Sequence, residues 1–133
     1  MEERVDQGIG MVKISDEVVG TIAGLATLQV DGISGMSGGI GEGIVKLLTG
    51  SQLTKGVKVE VGGEKEVVID VSVVVDYGVN IPEVAWKVQE NVKQAVEKMT
   101  SLIVVGVNVY VQGVYIKKEE QDINKKEMQI LGG

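Results

Sequence analysis

The stretch from Val75 to Val111 constrains this chain most, because its pattern reads as strand, capped helix, strand. Asn80 is placed to cap a helix, Glu83 three residues on to close a capping box, and Pro82 to sit in the first turn. Ala85, Val88, Val92, Ala95, Val96 and Met99 then fall on one face, while Lys87, Glu90, Gln94 and Glu97 face away. The helix is expected to stop at Thr100 and Ser101. Beyond it Ile103, Val105, Val107, Val109 and Val111 alternate as strand residues do. No residue in the unit is a catalytic signature; it is a packing unit.

The rest of the chain supplies partners for it. A short strand around Gly10 to Ile14 leads into a helix capped by Ser15, with Asp16 and Glu17 set against the helix dipole. Val18, Ile22, Leu25, Ala26 and Gln29 make that helix's main stripe, and Gly32 ends it. A glycine-rich loop is expected from Gly32 to Gly43, then a short helical turn around Ile44 to Leu48. Val57 to Val61 and Val67 to Tyr77 read as a hairpin joined through GGEKE. The order β-α-(short α)-β-β-α-β predicts an α+β two-layer sandwich, its mixed sheet of three to four strands covered by helices on one face. Ile69, Val71, Val73 and Val75, with Val105, Val107, Val109 and Val111, are expected to meet the helices. Val68, Asp70, Ser72, Val74 and Asp76, with Val104, Gly106, Asn108, Tyr110 and Gln112, take the other face, as solvated surface or as a docking face. One domain over 11–116 is expected, with a flexible lead at 1–10 and a charged tail at 117–133.

Composition removes most chemistry. The chain has no histidine and no cysteine, so zinc sites of the ordinary kind, Ser-His-Asp triads and Cys-His pairs are impossible within it. Glu60, Asp70 and Asp76 lie on strands with no sign of the cleft that paired-acid catalysis requires. No catalytic residue, cofactor site or metal site is expected. The formal net charge of −6 disfavours nucleic acid and anionic lipid. The start MEERVDQGIG lacks an apolar signal core and no run of about 18 apolar residues follows, so any membrane association is expected to go through a partner.

The glycine-rich segment GISGMSGGIGEG satisfies neither a P-loop nor a dinucleotide fingerprint, since it follows a helix and has no lysine in register. Gly32-Ile33-Ser34-Gly35 is a G-x-x-G of the kind that clamps nucleic-acid backbone in KH domains. Asp31 and Glu42 flank it without a neighbouring Lys or Arg, and the chain has only Tyr77, Trp86, Tyr110 and Tyr115 for stacking. KH-like RNA binding is therefore a minor alternative.

Protein contact is the better-supported role. Trp86 lies off the apolar stripe of its helix, towards Lys93 and Glu97, as an interface anchor or as a ring folded over a neighbouring loop. Gly20 and Gly24, with Leu28 beside them, mark a flank of the first helix that either the chain's own glycine-rich loop or another subunit approaches closely. Tyr110, on the outward face of the last strand, joins these as a candidate contact.

The runs YGVNIPEVAWKVQENVKQAVEKMT and VGVNVYVQGV, with KISDEVVGTIAGLATLQVDGISGM from Lys13 to Met36 and KGVKVEV from Lys55 to Val61, resemble the bacterial alkaline-shock, or general-stress, protein family. The resemblance spans Met11 to Ile116. It implies a non-enzymatic, cytoplasmic envelope-stress protein of a Gram-positive bacterium. It also implies self-association into a homo-oligomer and recruitment to the inner membrane face by a small membrane-anchored partner. Some relatives are tied to fatty-acid synthesis through acetyl-CoA carboxylase, which makes a regulatory adaptor the alternative.

Overall fold

The computed structural model of the protein describes residues 2–6, 8–37 and 55–116. In order, its elements are β1 (Glu2–Asp6), β2 (Met11–Ser15), α1 (Asp16–Leu28), β3 (Ile33–Met36), β4 (Val57–Val61), β5 (Glu66–Asp76), α2 (Ile81–Thr100) and β6 (Ile103–Tyr115). β5 is the middle of the main sheet. Along one side it pairs antiparallel with β4, Val57 opposite Val71, and then with β3, Ile33 opposite Val75. Along the other side it pairs in parallel with β6, from Glu66 opposite Ile103 to Asp76 opposite Tyr115. The sheet is thus mixed, and α2 is the crossover that a parallel pair requires. β1 and β2 form a separate antiparallel pair, Glu2 opposite Ser15 and Asp6 opposite Met11.

This is the expected α+β sandwich, with two differences in its elements. Strand β1 lies within the stretch 1–10 read as a flexible lead. β3 occupies Ile33–Met36, inside the segment expected to be a glycine-rich loop, and the hydrogen bonds of β5 hold it there. The helical turn expected at 44–48 and the tail at 117–133 lie outside the described residues.

The core forms between the helices and one face of the sheet. Val67, Ile69, Val71, Val73 and Val75 of β5 alternate inward and are fully buried, each side chain contributing roughly 1.5–2 kcal/mol of burial. Val88, Val92 and Val96 meet them from α2 as expected, but the row continues through Val84 and Thr100. Ala85 and Ala95 are half-buried and Met99 is exposed. The Asn80 side chain accepts from the Glu83 N–H at 3.1 Å. Glu83 pairs its carboxylate with Lys87 at 3.5 Å. Ser101, with φ of 63°, ends the helix in the left-handed region.

α1 is turned differently from its expected stripe. Ser15 caps it, accepting from the Val18 N–H at 3.3 Å. Its inner face is Val19, Gly20, Ile22, Ala23, Gly24, Ala26 and Thr27, whereas Val18 and Leu25 point out, 47% and 45% exposed. Ile22 and Ala26 of the expected stripe belong to this inner face as well, so the rotation is partial. The buried Thr27 hydroxyl is satisfied by donating to the Ala23 carbonyl at 2.8 Å. Asn91 of α2 ties the helices together, its Nδ2 donating to the Ala26 carbonyl at 2.7 Å.

β6 departs from simple alternation. Val67 faces Val104, yet Val68 faces Gly106, so Val105 is an extra residue; Gln112 is another, between Val111 and Gly113. Each bulge shifts the period of two. Val104, expected outward, is buried, and Val105, expected inward, is 53% exposed; Val107 is buried as expected, and Val111 is exposed.

Candidate interaction surfaces

Among the described residues no group of three or more Asp or Glu side chains could hold a metal ion. One carboxylate is held below its ordinary pKa: Glu97, chiefly because it accepts the Val104 N–H, and next because Lys93 donates to it. Partial burial opposes this shift, and the Lys93 charge adds to it. These bonds belong to the edge of β6.

Two apolar surfaces stand out. The first is a groove of about 550 Å³ between α1 and α2, lined by Val18, Ile22, Leu25 and Ala26 from one helix and by Ala95 and Met99 from the other, with Glu17, Thr21 and Gln29 at its rim. Met99 is 68% exposed. All five residues of the stripe expected to form α1's main apolar face therefore line an open groove. The flank with the glycines is the one that packs inside.

The second surface is the outer edge of β6. Among the described residues this strand pairs with β5 alone. Its first half is nevertheless capped, by side chains from one row of α2. Val104 donates its N–H to Glu97 Oε2 at 2.9 Å, while Lys93 Nζ donates to the Val104 carbonyl at 3.0 Å and to Glu97 Oε2 at 2.9 Å. Gln89 Nε2 donates to the Val107 carbonyl at 3.0 Å. Residues 89, 93 and 97 stand four apart, hence on one face of the helix. Glu97, expected to face away from the fold, is thus part of it. Trp86 lies beside this row, 57% exposed, lining a depression with Gln89, Lys93, Val105 and Val107.

The contact residues expected from sequence divide accordingly. Trp86 and Tyr110 are both exposed, Trp86 beside the β6 edge and Tyr110 on β6 itself. Gly20 and Gly24 are buried within the chain and offer no free surface; Leu28 is half-buried. The G-x-x-G of residues 32–35 is not a loop between helices. It begins β3, and Gly32, at φ of +102°, lies so close to α2 that a Cβ would meet Val84 at 2.8 Å. Sequence reasoning missed Met99 and Leu25 as groove residues and Gln89, Lys93 and Glu97 as an edge cap. Mid-helix carboxylates and lysines carry no signal that distinguishes a cap from a solvated face.

The described residues thus form a small α+β domain with an apolar groove between its helices and a partly capped strand at one sheet edge. Residues 4–116 match the sequence profile of the alkaline shock protein 23 family, described as having a cell envelope-related function, and the chain belongs to that family. It is 38% identical over 122 residues to the uncharacterized protein YqhY of Bacillus subtilis strain 168, covering 92% of this chain and 90% of that protein. With the uncharacterized protein YloU of the same strain it shares 39% identity over 109 residues, covering 80% of this chain and 90% of YloU. A stress response regulator gls24 homolog of Streptococcus pyogenes serotype M3 is 37% identical over 113 residues, 84% of this chain but 62% of that longer protein. No solved structure gives a significant match. Among the described residues no helix is long and apolar enough to cross a membrane.

Proposed function

We propose that this protein is a non-catalytic scaffold of the envelope stress response. In this reading it self-associates and is held at the inner face of the membrane by a small membrane-anchored protein seated between α1 and α2. The observation that carries this is the open groove: an apolar floor at Ile22, Ala26 and Ala95, with large exposed apolar side chains at Val18, Leu25 and Met99. A groove between two helices takes an amphipathic helix by its apolar face. Family membership supplies the cellular setting.

The test is a mild-crosslink capture of the tagged full chain from its native host, read by mass spectrometry. Leu25→Glu and Met99→Glu serve as variants, both at exposed positions that the core does not depend on. A small membrane protein is expected with the unsubstituted chain and is lost with either variant. Capture dominated by acetyl-CoA carboxylase subunits, or by nuclease-sensitive ribonucleoproteins, would overturn the scaffold reading. Membrane-protein capture indifferent to both substitutions would remove the groove from it.

A further inference from the structure

The cap that α2 lays over β6 ends at the Val107 carbonyl. Backbone polar groups alternate sides along a strand, so Val109 and Val111 point their N–H and C=O groups to the same outer edge as Val107. Among the described residues no strand pairs with them. Such an edge is a template for another strand. We propose that a second copy of this chain pairs here, the two β6 strands running antiparallel about a two-fold axis at Tyr110 and joining two sheets into one. The proposal rests on the self-association reading above and assigns it a surface.

Three observations select a second copy. First, a two-fold contact brings together two chains that each carry a net charge of −6, and a residue at the axis meets its own copy, so charge near the axis is unfavourable. From Met99 to Ile116 the sequence contains no charged residue, so β6 escapes that repulsion. Second, the register closes on itself. With the axis at Tyr110, Val109 of one copy faces Val111 of the other, so the pairing uses uncapped residues and leaves the Val107 carbonyl to Gln89. It also sets the exposed Tyr110 rings across from one another, with each Trp86 flanking the seam. Third, the opposite edge of the sheet matches β6 poorly, being split between the five residues of β4, with Lys58 and Glu60, and the four of β3.

The test is light scattering of the full chain over a range of concentrations, with circular dichroism as the check on folding. Tyr110→Lys places like charges across the axis, and Val111→Pro removes an outward N–H without taking a ladder bond from β5. Each is expected to weaken dimerisation by about tenfold or more with the fold unchanged. Because the chain has no cysteine, Tyr110→Cys is expected to give a single covalent dimer on mild oxidation. Association that survives both substitutions, with no crosslink through position 110, would overturn the β6 contact and leave self-association standing on some other surface. A chain monomeric at every concentration would overturn both.

Discussion

The two edges of the main sheet share β5 and differ in almost everything else. On one side β4 and β3 are short, arrive from separate parts of the chain, and β4 alternates Val57, Val59 and Val61 with Lys58 and Glu60. Short edge strands carrying charge are a common defence against unwanted pairing. On the other side β6 is one strand of 13 residues without a charge. Its first half is guarded by a row of helix side chains, and among the described residues its second half is not. Among the described residues one edge is made of short, partly charged strands and the other is capped over its first half only, which is why the second half is the part we propose as a contact surface.

That contrast can be broken or sharpened by substitution. The largest effect is expected where the edges meet: Val71→Ala, at a fully buried residue of β5 facing Val57 on one side and Val109 on the other, should lower stability by about 2–3 kcal/mol in urea unfolding. Amide exchange should accelerate in β4 and β6 alike. Glu97→Ala should act on one edge only. It removes the acceptor of the Val104 N–H and the partner of Lys93, and with a side chain about a third exposed the loss is about 1 kcal/mol. Exchange at Val104 should rise while β4 stays unchanged.

The same residue sets a pH dependence. Because folding lowers the Glu97 pKa, its contribution is complete above the ordinary carboxylate value of about 4.3. It declines as pH falls through the lowered folded value, and Glu97→Gln should abolish that part of the acid sensitivity. The smallest change in stability, within about 0.5 kcal/mol, is expected for Lys58→Val combined with Glu60→Val, both exposed. Its readout is solubility: the defended edge should begin to associate, and a variant as soluble as the parent would show that charge is not what protects β4.

Much of this fold is legible in the sequence because local chemistry dictates it. The Ser15 and Asn80 caps, the stop at Ser101, the β4–β5 hairpin and the inward alternation of β5 each follow from a few neighbouring residues. What escapes is set by distant partners. α1 shows Val18 and Leu25 in its apolar stripe, but the face that packs inside is the one carrying Val19, Ala23 and the two glycines. β3, read as Ile33-Ser34-Gly35-Met36, has no alternation of its own; β5 makes it a strand. The bulges at Val105 and Gln112 leave no trace in a run of valines, yet they decide which valines face the core. The exposure of Trp86 is legible because it breaks its helix's apolar pattern, and the edge beside it is not.

The row Gln89, Lys93, Glu97 also works as a ruler laid against β6. Four helical residues advance about 6.0 Å, and two strand residues advance about 6.6 Å, so the graduations nearly coincide and then drift. The bulge at Val105 keeps them in step between Val104 and Val107. The next mark on the helix is Ala85, whose methyl group has nothing to donate or accept. The open length of the sheet therefore begins where the helix runs out of polar side chains, one turn before its row would have reached Val109.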